Sequence, residues 1–374
     1  MVQLYSYPAG PGDFFWLRFG DHEVHNFIID GGDSRCKIKF KELLSEIKQH
    51  GEQVDALLLT HFDSDHIMGM LRGLQISYDE GGLPPIARIY MNTGRGIISH
   101  QNNGQWDNVY LPEDDIKVDA HTTLCSVTDQ IKLVELFDKM GIKQALCNYI
   151  STDTNKIEFG GCVCKIISPE PNNLMDIVKT KWMNEKEYLT SIECAQKVIK
   201  QQSFSDLINC ELPPEDHNIS NNASIAFIFE YDDVKIAFLG DATPSICLRG
   251  LKHMGVCPSK PCKVDLVKIS HHGSRRNYSD DLYMALPTSN YLLSTDGRGG
   301  RLPDKIILAK LLQITESKPI FLYCNYNLWE KAEYYQYFTD EDNIKYGDRL
   351  TKIYLNARSS HIKIKDGFEL NATR

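Results

Sequence analysis

The sequence contains no run of about 18 apolar residues, so no segment is expected to cross a membrane. Its first stretch, MVQLYSYPAGPGD, lacks the basic start and apolar core of a secretory leader. Its 11 cysteines form no paired CxxC framework. Cys162 and Cys164 make an isolated CxC, and Cys257 and Cys262 have four residues between them. Neither has the second matching pair found in thiolate zinc sites. Reduced thiols and a cytoplasmic location are the expectation. Repeats and low-complexity tracts are absent as well. Positive charge is scarce: 41 Lys and Arg stand against 50 Asp and Glu, a formal net charge of −9. That balance excludes a broad duplex-coating face, although basic residues gathered at one place still suit a nucleic acid.

What is present is material for a core. A chain of 374 residues with 42% hydrophobic content supports one sizeable domain, read here as residues 1–374. Short runs rich in β-branched and aromatic residues recur. Among them are FFWLRFG (14–20), NFIIDGG (26–32), ALLLTH (56–61), CVCKIIS (162–168), SIAFIFEY (224–231), VKIAFLGD (234–241), LVKISHH (266–272) and IFLYCNY (320–326). Their length and composition predict strands. Helical periodicity lies between them. Residues 38–50 place Phe40, Leu43, Leu44 and Ile47 on one face before Gly51, and residues 127–140 do the same with Ile131, Val134, Leu136 and Phe137 before Gly141. Further helices are predicted over 185–209 and over 303–314, the latter with Pro303 near its start. Interleaved strands and helices predict an α/β layered architecture. Residues 74–125 and 150–222 carry turn clusters such as GGLPP (81–85) and QNNGQWDN (101–108), and read as long insertions, together falling within 74–222.

The chemistry is concentrated in LLLTHFDSDHIMG, residues 57–69. An apolar strand ends near Thr60, and His61, Asp63, Asp65 and His66 follow before a helix. Residues two apart in extended chain point to the same side, so His61 and Asp63 can share one ion. The turn into the helix aims Asp65 and His66 at a second point nearby. Imidazole nitrogen and carboxylate oxygen are ordinary zinc ligands, and the mixed set also admits manganese. Helix-start polarity accounts for Ser64 and Asp65 but not for two histidines and two acids placed directly after an apolar strand.

This HxDxDH run resembles the HxHxDH motif of the metallo-β-lactamase superfamily, with Asp63 in place of the middle histidine. The replacement is similar to a branch that includes the soluble domain of the bacterial DNA-uptake (competence) channel and certain choline-phosphoesterases. GPGD (10–13), IIDGG (28–32), NNASIAFIFEY (221–231), AFLGDA (237–242) and VKISHHGS (267–274) resemble further marks of that branch, in its order. The resemblance covers about residues 4–315, interrupted by the insertions. It implies an αββα sandwich of two mixed β-sheets flanked by helices, one or two divalent metal ions, zinc foremost, and hydrolysis by activated water. It further implies that Asp30 orients ligands and that Asp241 bridges two metals. Either histidine of HHGS suits the last ligand; His272, directly before Gly273, is taken as that ligand. His271 then contacts phosphate or gives a proton to the leaving group, and Asp65 shares in catalysis as well as binding. For the remaining ligand, His217 lies at a comparable place, while Asn221 matches the branch in which Asn-rich sequence stands there.

One departure concerns LLSTDGRGGRLPDKI (292–306). The DNA-uptake branch carries a histidine before this proline, whereas Leu302 precedes Pro303 here. Arg301 or Arg298 is expected to bind phosphate instead, beside Arg275, Arg276 and Ser274, which follow the HHGS histidines. Guanidinium groups match phosphate oxygens in bidentate fashion. Trp106, Tyr110 and Tyr278 suit either base stacking or packing. The expected function is a phosphodiesterase, foremost a nuclease on single-stranded or flexible DNA, acting alone or within a complex with a partner protein. Two alternatives accompany it: a small-molecule phosphoester or lactone hydrolase, and a metal-stabilised scaffold that binds a partner protein.

Overall fold

The computed structural model describes residues 1–101, 125–182, 202–298, 302–316, 318–331, 334, 337–355 and 362–372. Among these the strands, in chain order, begin with β1 (Val2–Ser6), β2 (Phe15–Phe19), β3 (His25–Ile29), β4 (Ala56–Leu58), β5 (Ile89–Tyr90) and β6 (Leu146–Cys147). They continue with β7 (Lys156–Phe159), β8 (Cys162–Ser168), β9 (Ala226–Tyr231), β10 (Val234–Phe238) and β11 (Leu266–Lys268). The last are β12 (Asn290–Leu293), β13 (Ile320–Cys324), β14 (Leu350–Tyr354), β15 (Ile362–Lys365) and β16 (Phe368–Ala372). They form two eight-stranded sheets, ordered β15-β16-β1-β2-β3-β4-β5-β6 and β14-β13-β12-β11-β10-β9-β8-β7. Both are mixed: β3 to β6 and β10 to β14 run parallel, and β1 to β3 and β7 to β10 antiparallel.

Strand alternation sorts side chains into three buried layers. On β2, Phe15, Leu17 and Phe19 point inward to meet the second sheet, while Trp16 points to the helices on the other side. Between the sheets, Phe19 packs edge-on against Phe229 with ring centroids 5.3 Å apart, and Phe15 lies 5.7 Å from Phe238. Each such phenyl group contributes about 1.5–3 kcal/mol by leaving water. The outer face of the first sheet is covered by α1 (Lys37–Gln49), α2 (Ser64–Asp79) and α4 (Cys125–Lys139), with α3 (Gly94–Gln101) beside them. Phe40, Leu43, Leu44 and Ile47 are the buried stripe of α1, as their spacing predicts. The outer face of the second sheet is covered by helices that include Asp280–Ala285 and Lys305–Ile314. The layers are therefore αββα. No helix among the described residues is long and apolar enough to cross a membrane.

Three expectations need correction. A single helix over 185–209 does not form: Ser203 is extended and caps a new short helix, Phe204–Ile208, by accepting from Asp206 N, and residues 183–201 lie outside the described residues. The helix expected over 303–314 begins at Lys305, so Pro303 precedes its N-cap, Asp304, rather than opening the first turn. The stretches read as insertions are partly integral: β5 belongs to the first sheet, and β7 and β8 form one edge of the second. Residues 102–124, with Trp106, Tyr110 and His121, are outside the described residues.

Candidate metal centre

The predicted runs at 56–61, 234–241 and 266–272 stop pairing early, at Leu58, Phe238 and Lys268. The residues after each end leave the sheet and turn toward one point. Ligand sites of open α/β sheets commonly lie at such carboxyl ends of parallel strands. The register brings the ends level, with Ile29 opposite Leu58 and Phe238 opposite Lys268. The two sheets are tied at this end by Ile225 N donating to Thr60 O at 2.9 Å.

Three site residues hold left-handed backbone without being glycine: Asp30 (φ 56°), His271 (φ 43°) and His272 (φ 55°). Such conformations cost about 1–3 kcal/mol each and persist where surrounding bonds enforce them. Asp30 N donates to Leu58 O at 2.8 Å, and His271 N to Gly240 O at 3.0 Å. Gly12 is needed for a different reason: a Cβ there would lie 1.8 Å from Asp65 O.

The imidazoles converge on one oxygen. Asp241 Oδ2 lies 3.4 Å from His272 Nε2, 3.6 Å from His66 Nε2, 3.8 Å from His271 Nε2 and 3.9 Å from His61 Nε2. Asp63 Oδ2 is 3.8 Å from His61 Nε2, and Asp65 Oδ2 is 3.9 Å from His272 Nε2. His61, His66, Asp241 and His272 are buried, whereas Asp63 (30%), Asp65 (28%) and His271 (28%) keep side-chain exposure and form the open rim.

Each ring is oriented through its other nitrogen. His66 Nδ1 donates to Asp30 Oδ2 at 2.8 Å, and Asp30 also accepts from Thr60 N and Thr60 Oγ1, both at 2.7 Å. Because Thr60 Oγ1 gives its proton to Asp30, it accepts from His61 Nδ1 at 3.0 Å. His272 Nδ1 donates to Ser294 O at 2.8 Å. His271 Nδ1 donates to Asn277 Oδ1 at 2.8 Å and lies 3.5 Å from Asp216 Oδ2. With every Nδ1 donating, each neutral ring has a lone pair on Nε2, the tautomer a metal ligand needs.

The electrostatics ask for positive charge at the centre. Burial opposes ionisation of Asp241, but His272, His66 and His271 hold its carboxyl well below the usual range. Burial also opposes charge on His66, yet Asp241, Asp30 and Asp65 raise it well above the usual imidazole value. Burial pushes His61 down, and neighbouring His66 adds to that. At the rim, burial is outweighed by Asp241 and Asp216, and His271 is raised to about 9.

A divalent cation fits this arrangement. The buried His61, His66 and His272 Nε2 atoms have no hydrogen-bond partner. Buried polar atoms are rarely left so, and each would cost about 1–3 kcal/mol without a partner. His61, His66 and Asp241 form one set of closely spaced donor atoms, and Asp65, His66 and His272 form another.

Other expected residues are placed differently. His217 is exposed and lines a separate polar pocket of about 350 Å³ with Asn173, Asp176 and Asn222, so it is not gathered into the cluster. The turn that follows Asp216 carries it away, because Asp216 itself is tied to His271 and Asn221. Asn221 is buried behind His271, with Nδ2 at 3.4 Å from His271 Nδ1. Ser274 Oγ accepts from Arg276 N at 3.3 Å. Arg275 lies against Asp304 at 3.9 Å and the exposed Arg298 against Asp296 at 3.6 Å, and Arg301 is outside the described residues. Tyr278 is core, stacked on Tyr283 at 4.8 Å. No cysteine joins a donor group among the described residues.

Residues that the sequence reading passed over also contribute. Asn277 holds His271 and donates through Nδ2 to Asp241 O at 3.1 Å. Asp13 was visible within GPGD, and Lys268 within VKISHHGS, but nothing in their spacing assigned them a partner. In the fold they form a buried ion pair beside Asp241.

Residues 8–93 match the family model described as Metallo-beta-lactamase superfamily. This segment includes Asp13, Asp30 and the whole run from His61 to His66. No curated protein matches the sequence. Among solved structures, the chain is similar to BLEG-1 B3 metallo-beta-lactamase at 12% identity, covering 69% of this chain and 87% of that one, with a TM-score of 0.29. It is similar to a long form RNase Z from yeast at 10% identity, over 78% of this chain but 36% of that one, with a TM-score of 0.36. A diphosphatase from the PhnP family has 12% identity over 93% of each chain and a TM-score of 0.34.

Proposed function

We propose that the chain is a hydrolase working with two divalent cations, zinc foremost and manganese next, on a phosphodiester substrate. The observation that carries this reading is the convergence of four imidazole Nε2 atoms on Asp241 Oδ2. His61, Asp63 and His271 would hold the first ion and Asp65, His66 and His272 the second, with Asp241 shared. His271 thus takes the place that His217 was expected to fill. Charge supports bound cations. Asp13, Asp30, Asp63, Asp65 and Asp241 gather about the centre with Asp216 behind His271, and Lys268 is the ammonium buried among them.

When bound, such ions acidify water and stabilise charge that develops on the attacked centre. The protein's part is to fix geometry. Asp30 and Thr60 hold His66 and His61 in register, Ser294 O holds His272, and Asn277 with Asp216 holds His271. The exposed rim of Asp63, Asp65 and His271 is where a substrate would enter.

A nuclease acting on single-stranded or flexible DNA is the finer reading. It is supported by the order HxDxDH, Asp241, HHGS, which resembles the DNA-uptake branch, and by the nearness in sequence of Arg275 and Arg276. A small phosphoester is the second reading, favoured by the pairing of Arg275 with Asp304 and Arg298 with Asp296, which offsets charge otherwise open to a polyanion. The test is a panel of plasmid, single-stranded oligonucleotide and bis(nitrophenyl) phosphate, each with Zn²⁺ or Mn²⁺. Cleavage of DNA that is lost in His61→Ala and Asp241→Asn supports the nuclease. Turnover of the small ester alone supports the second reading. A folded, metal-loaded protein that hydrolyses none of them overturns both and leaves a metal-stabilised scaffold for a partner protein.

A further inference from the structure

Lys268 ends β11 with its side chain fully buried among acidic groups. Its ammonium forms an ion pair with Asp13 Oδ2, donates to Gly240 O at 2.9 Å and stands 3.7 Å from Asp241 Oδ1. A buried ammonium beside a cation-binding carboxylate works against the cation, so cation binding alone does not account for it. Asp13 supplies the other half of the puzzle. It is buried, its Oδ1 has no hydrogen-bond partner, and it belongs to two further sets of close donor atoms. One set is Asp13, Asp30 and His66, and the other is Asp13, Asp241 and His272. The cluster therefore offers more positions for a cation than two ions need, and those using Asp13 lie where Lys268 already places a positive charge.

We propose that Lys268 is a positioning residue that keeps the Asp13 side of the centre for its own ammonium, so that Asp241 meets cations through Oδ2 and Asp13 is not a ligand. This rests on the metal-centre reading above. The ion pair acts as a fixed internal cation. It neutralises Asp13, draws Asp241 Oδ1 away from the imidazoles and leaves Oδ2 facing them.

The experiment is a calorimetric Zn²⁺ titration of the metal-free full chain, with thermal unfolding recorded in EDTA. The parent is compared with Lys268→Met and Asp13→Asn/Lys268→Met. Lys268→Met exposes an unpaired Asp13 and is expected to bind one more equivalent of Zn²⁺ than the parent. The double variant is expected to lose that extra equivalent. Unchanged stoichiometry and affinity in Lys268→Met, with only a lower melting temperature, overturns the proposal and makes Lys268 structural. If Lys268→Met does not fold, a Zn²⁺-loaded crystal structure of the parent decides. Asp241 Oδ1 beside Lys268, with Asp13 off the metal, supports the proposal, and Asp13 bonded to an ion overturns it. A folded parent that binds no Zn²⁺ overturns the metal-centre reading and this inference with it. A parent that binds Zn²⁺ but hydrolyses nothing leaves this inference standing.

Discussion

His66 is clamped between two carboxylates from different sheets: its Nδ1 donates to Asp30 Oδ2 at 2.8 Å, and its Nε2 faces Asp241 Oδ2 at 3.6 Å. The first contact is a finished hydrogen bond. The second brings a buried imidazole nitrogen that has no hydrogen-bond partner to face a carboxylate oxygen beyond bonding distance. That contrast separates Asp30, which orients the ring, from Asp241, which meets it only as an opposite charge.

Asp30→Asn keeps the shape of the side chain but has one accepting oxygen, so it cannot serve both Thr60 N at Oδ1 and Thr60 Oγ1 with His66 Nδ1 at Oδ2. Loss of such orienting partners costs about 10–100-fold in metal affinity. Zn²⁺ affinity measured by chelator competition is expected to fall within that range. Unchanged affinity would mean that packing alone orients His66.

His271→Ala tests the assignment of the first ion. Bound zinc, measured by elemental analysis after dialysis, is expected to drop from two equivalents to one. If two equivalents remain and only the turnover rate falls, His271 instead hands a proton to the leaving group, as the sequence resemblance implied.

His217→Ala should change little. The side chain is exposed and outside the donor groups, and substitutions of that kind stay within about 0.5 kcal/mol in stability. Zinc stoichiometry should equal the parent's. A lost equivalent would restore His217 as a ligand.

Gly12→Ala should be severe. The added Cβ would meet Asp65 O at 1.8 Å, a backbone atom that cannot step aside without moving the turn that carries Asp65 and His66. Overpacking costs about 1–3 kcal/mol and sometimes more, and this contact belongs at the upper end. Urea unfolding of the metal-free protein checks it. Gly82→Ala, whose nearest neighbour would be at 3.6 Å, serves as the control and should be close to neutral.

Much of the centre was legible in the sequence because its candidate ligands sit where strands end. An acid or histidine closing an apolar run, as in LLLTH, AFLGD and VKISHH, is costly unless it meets a partner, and that cost singled out His61, Asp241 and the HHGS pair. The αββα layering was legible from the interleaved strands and helices together with the family resemblance. Residues whose role depends on a partner distant in the chain were not. Asn277 matters because its Nδ2 reaches Asp241 O, 36 positions away in the chain, and Asp13 because Lys268 lies 255 positions away in the chain and beside it in space. The strands β1, β15 and β16 were missed as well: β15 pairs with β16 across the Asp366-Gly367 turn, and β16 lies parallel to β1, joining the two ends of the described chain in one sheet. His217 was misplaced because proximity to Asn221 in sequence does not tell which way the turn after Asp216 points.

Anomalous diffraction at the zinc edge from crystals grown with Zn²⁺ addresses the centre most directly. The expected result is two peaks flanking Asp241 Oδ2, one within bonding distance of His61 and the other within bonding distance of His66 and His272. A well-ordered map without a peak among these residues, or with zinc bound only elsewhere, would contradict the account.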